Sequence, residues 1–324
     1  MGTLYLDRKS LSLSIEGKRL VITEPGVRPR TVPMAMVERV VLRGQVQFDS
    51  GVLAKLAEQG STVVCLSARH NRRTAMLVGP GHGDARRRLA QYQLALDESA
   101  RLPLVRGLIA AKLQAQNKLL EQAMTARPEV RKPLHDALET GRRTLAGVAE
   151  AADIAMARGF EGAGAAAYFE GLTALFAPSL NFTGRNRRPP RDPVNACLSL
   201  GYTLLHSDAV RAAHSVGLDP LLGFFHEPAY GRESLACDLI EPLRPVLDGL
   251  VWAMFRERAL RVEDFTEAQG ACLLGKNGRQ TFFGWYENWA RAPRRYLRQQ
   301  GYRLANWLGG RAPELALAEL DDAD

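Results

Sequence analysis

GPGHGD, residues 79–84, places three glycines and a proline in six positions. No helical or strand pattern survives such a run, because glycine is conformationally free and proline lacks a backbone donor. The chain reads differently on its two sides. Upstream, apolar residues alternate or form short runs; downstream, they recur every three or four positions. The stretch therefore reads as a linker between domains. The expected fold is α+β with two domains, a small N-terminal β-rich domain followed by a larger all-α C-terminal domain. The boundaries are 1–78 for the first, 79–84 for the linker, 85–310 for the second and 311–324 for an acidic tail ending in LALAELDDAD.

On the upstream side, LYLDRKSLSLSI and RLVITEP alternate, with a tight turn at Glu16-Gly17-Lys18. MVERVVLRG reads as a further strand. A helix is expected from Ser50 as N-cap to about Gln59, stopped by Gly60, before the buried strand STVVCLS. A basic tip, ARHNRRTA, leads into the last strand. On the downstream side, Leu89, Leu94, Leu104, Leu108, Leu113 and Leu120 mark a helical stretch that Pro103 should kink or divide. Further helices are expected over about 132–156, 160–176, 193–216, 235–260, 263–270 and 279–308. NFTGRNRRPPRDPVNACL, 181–198, is a positively charged loop between two of them.

The chain has 324 residues, 46% of them hydrophobic and 24% charged, as expected of a globular protein of two domains. No apolar run approaches the roughly 20 residues needed to span a bilayer. The alternating N-terminus is unlike a secretory signal, so a cytoplasmic, membrane-free location is expected. The four cysteines lie far apart in apolar surroundings, without CxxC spacing. They read as reduced thiols rather than zinc ligands. The net charge is +8, and 36 of the 43 basic residues are arginine, whose planar fork matches phosphate. Clusters at 68–75, 84–90, 184–191 and 291–303 point to nucleic acid as a partner.

Two places put acids in unusual surroundings. ARGFEGAGAAAYFEGL sets Glu161 among small residues, with Tyr168 two turns further along the same face. GFFHEPAYGRESLACDLIEPLRP carries His226 and then Asp238 and Glu241, three apart in apolar sequence. Neighbouring buried carboxylates repel unless protonated or neutralised by a cation. Mg²⁺ accepts carboxylate oxygens, and a histidine beside them suits Mn²⁺ as well. Ordinary roles fit the same residues. His226 can be a hydrogen-bonded loop histidine and Asp238 an N-cap or partner of Arg232 or Arg244. Glu161 can be a first-turn acid, and Tyr168 a packed aromatic. Spacing alone does not bring 161 to 226 and 241.

The motifs LYLDRKSLSLSIEGKRL, VERVVLRG, GFEGAGAAAYF, DPVNACLSLGY and GFFHEPAYGRESLACDLIEPLRP occur in this order. Together they resemble the CRISPR-associated integrase family, the metal-dependent endonuclease and integrase subunit of the spacer-adaptation complex. The resemblance runs from Leu4 to about Gly310. It implies metal ligands Glu161, His226 and Glu241, with Asp238 a further catalytic position in support. Some members carry Asp where this chain has Glu241, and both are oxygen ligands. It implies Mg²⁺ or Mn²⁺ as cofactor and double-stranded DNA as substrate. It also implies a homodimer formed through the N-terminal domain, joined with a small second adaptation protein in a heterohexamer. The implied reaction is attack of a 3′-hydroxyl on a backbone phosphate, inserting short duplexes into a repeat array. Two other readings of the same residues are a stand-alone nuclease for branched or repair DNA and a DNA-binding scaffold that no longer holds metal.

Expected DNA contacts are Arg72 and Arg73 in the first domain, then Arg185, Arg187, Arg188, Arg191, Arg244, Lys276 and Arg279. Tyr168 and Asn195 are expected to line the site, Asn195 by closing a turn or supporting the core. Contacts of this kind position a duplex without reading its sequence and weaken steeply with salt.

Overall fold

The computed structural model describes residues 2–8, 10–67, 72–186 and 189–311. The alternating N-terminal stretch serves two sheets. β1 (Gly2–Leu6) pairs parallel with β5 (Val37–Arg43), which pairs parallel with β7 (Thr62–Leu66) and through it with antiparallel β8 (Arg73–Leu77). β2 (Leu11–Glu16) instead forms a hairpin with β3 (Arg19–Glu24), Glu16 opposite Arg19, across a turn in which Gly17 takes φ +60°. β4 (Val27–Pro33) and β6 (Val46–Phe48) complete this second sheet, in the order β4-β3-β2-β6. β4 carries Pro29 and Pro33 and lies at the edge, where a missing donor costs no pairing. β7 is a near-continuous apolar run and β5 holds one at its centre, Val40, Val41 and Leu42, as parallel strands covered on both faces require.

α1 (Ser50–Glu58) makes the crossover into β7, and its cap is Asp49 rather than Ser50: the Asp49 carboxylate accepts from the Val52 N–H. The same device recurs. Asp84 caps α2 (Ala85–Leu96), Asp97 caps α3 (Glu98–Ala126), Asp153 caps α5 (Ile154–Thr173) and Asp192 caps α6 (Pro193–Ser215). The break expected at Pro103 therefore falls at Asp97, and α3 continues through Pro103 with one backbone bond fewer. α4 (Arg131–Glu150) ends before the expected 156, because Asp153 starts the next helix. The expected helix 235–260 is α7 (Ser234–Ile240), a 3₁₀ turn at Glu241–Leu243 and α8 (Arg244–Arg256), with Pro242 in the turn.

The helix expected over 263–270 is absent. Residues Val262–Asp264 form a 3₁₀ turn, and β9 (Phe265–Ala268) and β10 (Ala271–Leu274) form a hairpin, so the C-terminal part is not wholly helical. Gln269 and Gly270 adopt positive φ there, a tight turn that a helix would not tolerate. α9 (Lys276–Gly309) closes the fold. The proposed acidic tail lies outside the described residues, Arg311 excepted. Among the described residues no helix is long and apolar enough to cross a membrane.

The β-rich part is packed onto the helices rather than tethered to them. Val41, Val64 and Leu66 belong to the same core as Leu204, Phe282 and Tyr286. Tyr5 stacks on Phe283 at 4.0 Å and donates to Glu287 at 2.7 Å. Arg39 of β5 is 3% exposed and pairs with Asp208 of α6, which also accepts from Tyr286 and Arg294 at 3.2 Å. This contact fixes α6, which carries Asn195 and Tyr202.

Candidate functional site

The segment Phe224–His226 wraps around one carboxylate. Asp238, on α7, accepts from the backbone N–H groups of Phe224 (2.6 Å), Phe225 (3.1 Å) and His226 (3.0 Å). It also meets the His226 ring Nδ1 at 2.7 Å. Gly223 permits this approach: a Cβ there would stand 2.7 Å from Asp238 Oδ2 and 2.8 Å from the Ser234 backbone. Asp238 is neither a helix cap nor a partner of Arg232 or Arg244; it organises the loop. A carboxylate can only accept, so the proton lies on Nδ1 and the Nε2 lone pair points away from Asp238. Nε2 lies 4.0 Å from Glu241 Oε1.

Glu241 stands in the 3₁₀ turn between α7 and α8, where the helix axis shifts and the side chain turns inward; only 4% of it is exposed. Glu161 reaches the same place from α5, whose Gly164 lets it lie against α3: a Cβ at 164 would be 2.6 Å from Leu113. Between the two acids sits the ammonium of Lys112, from α3, in contact with Glu161 and 2.5 Å from Glu241 Oε2. Arg244 Nε donates to Glu241 Oε1 at 2.6 Å. Burial opposes ionisation of Glu241, but Arg244 and Lys112 outweigh it and hold the carboxyl down at about 2. Burial likewise opposes the charge on Lys112, and Glu241 and Glu161 reverse this and raise its pKa.

Behind this group lies a second buried carboxylate. Asp248, on α8, accepts from the hydroxyls of Tyr168 (2.8 Å) and Tyr202. Burial pushes it up to about 6 against the pull of both tyrosines and of Arg185 and Arg244. Tyr202 also lies under two guanidinium groups, Arg244 at 4.8 Å and Arg185 at 5.3 Å from the ring centre. These residues, with Arg158 and Arg232, line a cavity of about 400 Å³.

The structure thus brings Glu161, His226, Glu241, Arg244, Arg185 and Tyr168 to one cavity. Asn195 stands behind it, fully buried, donating to Gly184 O and Asp192 and accepting from Asn186 N–H and Arg185. It closes the 184–192 loop. Other expected DNA contacts lie elsewhere. Arg73 is paired with Glu233, and Arg279 with Asp7. Arg72, Arg191 and Lys276 are exposed. Arg187 and Arg188 lie outside the described residues. Three residues escaped the sequence reading: Lys112, Tyr202 and Asp248. The spacing held a signal for two of them, since Tyr202 is seven beyond Asn195 and Asp248 seven beyond Glu241, two turns along one face. Lys112 had none, because it flanks an ordinary apolar stripe.

Two carboxylates and an imidazole with its Nε2 lone pair free are a donor set suited to a divalent cation. The two carboxylates already converge on a positive charge, the Lys112 ammonium. Among the described residues, however, no three metal-ligating side chains are drawn together as they stand.

The family described as CRISPR associated protein Cas1 matches residues 4–288. CRISPR-associated endonuclease Cas1 1 of Thermodesulfovibrio yellowstonii is 36% identical over 298 residues, 91% of this chain and 93% of that protein. A Cas1 protein from Thermotoga maritima superposes with TM-score 0.82 at 20% identity, over 98% of this chain and all of that one. A casposase bound to its integration product superposes with TM-score 0.81 at 22% identity, over 95% and 91%.

Proposed function

The chain belongs to the CRISPR-associated Cas1 family, and from that premise we propose that its cavity is the catalytic centre of a metal-dependent DNA endonuclease and integrase. One observation carries the assignment to this cavity. Glu161 and Glu241 meet at the Lys112 ammonium from separate elements, and His226 Nε2 lies 4.0 Å from Glu241 Oε1, all lining one cavity rimmed by arginines.

The reaction that fits is transesterification. A DNA 3′-hydroxyl attacks a backbone phosphate; one P–O bond forms as another breaks and releases a 3′-hydroxyl, so no energy source is consumed. Water as attacker gives hydrolysis. Mg²⁺ or Mn²⁺ held by Glu161, Glu241 and His226 would supply positive charge to the phosphate oxygens. The chain's residues do the rest. Asp238 fixes the His226 tautomer and holds its loop. Arg244 and Arg185, stacked on Tyr202, present guanidinium edges to phosphate. The duplex, a homodimer through residues 1–78 and a small second adaptation protein in a heterohexamer complete the reading. The repair-nuclease alternative uses the same cavity and is separated by joining of strands. The inert scaffold is disfavoured, since every expected donor is a competent ligand.

Glu161→Ala and His226→Ala should each lower transfer of a labelled duplex into a repeat-bearing plasmid by at least about 100-fold, the loss expected when a group acting on the transition state is removed. Wild-type rates in both would sink the assignment.

A further inference from the structure

We propose that Lys112 is the built-in counter-ion of the metal-free site, and that a divalent cation binds by displacing its ammonium from Glu161 and Glu241. The inference rests on the reading of this cavity as a metal centre.

Three observations carry it. The first is position. Lys112 arrives from α3, a different element from either acid, and its Nζ bridges both, 2.5 Å from Glu241 Oε2 and in contact with Glu161 Oε1. Its side chain is only 12% exposed. The second is charge. Glu241 keeps a second cation, Arg244 at 2.6 Å, whereas Lys112 is the only hydrogen-bond partner of Glu161 among the described residues. Two carboxylates facing Lys112 and Arg244 are neutral as a group. The ammonium and a dication would compete for the same carboxylate oxygens and repel each other there. The third is a landing place. Gln116, one turn along α3 on the same face, lines the same cavity, and its buried Oε1 has no hydrogen-bond partner among the described residues. A four-carbon stem lets the ammonium swing to such an acceptor, which a rigid guanidinium could not do as readily.

The site is thereby held together without metal, at the expense of metal affinity. Binding of Mn²⁺ to the full-length protein, followed by the electron paramagnetic resonance of free Mn²⁺, tests this. Lys112→Met should bind on the order of tenfold more tightly than wild type, the scale of a coupling between two competing ligands. It should also melt at a lower temperature than wild type without metal and recover with Mn²⁺. Glu161→Gln should lose binding. Retained binding in Glu161→Gln would remove the metal-site reading itself. Loss there, with unchanged or weaker binding in Lys112→Met, would overturn the displacement alone. If Lys112→Met does not fold, the wild type decides. In crystals soaked in Mn²⁺ the wild-type Lys112 Nζ should have left both carboxylates; an ammonium still bridging them beside bound Mn²⁺ contradicts displacement.

Discussion

At the scale of single residues, the site is governed by carboxylates in three different environments. Asp238 is held by four donors and faces the back of the imidazole. Asp238→Asn keeps the shape but leaves one acceptor oxygen where two are used, so about 2–4 kcal/mol of stability should be lost in urea unfolding. The His226 ring should then show mixed tautomers in its ¹⁵N spectrum. Glu241 is held near 2 by Arg244 and Lys112, so its contribution to stability is present above about pH 4.5 and lost as pH falls toward 2. Asp248 runs the other way. Its folded-state value, about 6, lies above the ordinary 3.8, so its contribution is complete below about pH 4 and lost as pH rises through 6. That difference is worth roughly 3 kcal/mol. Asp248→Asn should therefore flatten the stability profile between pH 4 and 6, with denaturant midpoints at pH 4.5 and 7.5 as the check.

At the scale of elements, close approach decides whether the acids meet. The Cβ of Gly164→Ala would press on Leu113 at 2.6 Å and Thr144 at 2.8 Å, forcing α5 away from α3 and α4. We expect a stability loss of about 1–3 kcal/mol and a larger loss of strand transfer, because Glu161 rides on the same helix one turn earlier. Equal activity per folded molecule would show that α5 placement is not limiting. These elements also show what the sequence could express. The small residues around Glu161 announced a close approach but not its partner, since the contact to Lys112 spans 49 residues. The 193–216 helix was legible to within a residue because Asp192-Pro193 is a local start signal. The 265–274 hairpin was not, because its strands are four residues each and carry no clear alternation. Asp97 sets the break because its carboxylate caps the new helix at the Ala100 N–H, while Pro103 removes only one backbone bond.

At the scale of the whole molecule, the glycine-rich 79–84 stretch does mark where strand pattern gives way to helix pattern, with β8 ending at Leu77 and α2 starting at Ala85. What it could not convey is how firmly the two parts are joined. Asp208 on α6 binds Arg39 from the sheet and Arg294 from α9, all largely buried. Asp208→Ala should cost about 3–5 kcal/mol, because it strands the buried Arg39 cation, and should melt the sheet and helices together rather than separately. A calorimetric scan with two resolved transitions would contradict that coupling. The excess of arginine, read from composition as affinity for nucleic acid, is partly used inside the protein. Arg39, Arg73, Arg279 and Arg294 all have internal partners. Those lining the cavity, Arg158, Arg185, Arg232 and Arg244, are the ones aligned with the proposed chemistry.

The central claim is that Glu161, His226 and Glu241 hold one catalytic metal. Anomalous diffraction from crystals soaked in Mn²⁺ tests it most directly. A single strong peak per chain is expected within bonding distance of both glutamates and of His226 Nε2, with Asp238 still on Nδ1. A peak elsewhere, or none at a Mn²⁺ concentration that supports strand transfer, would contradict it.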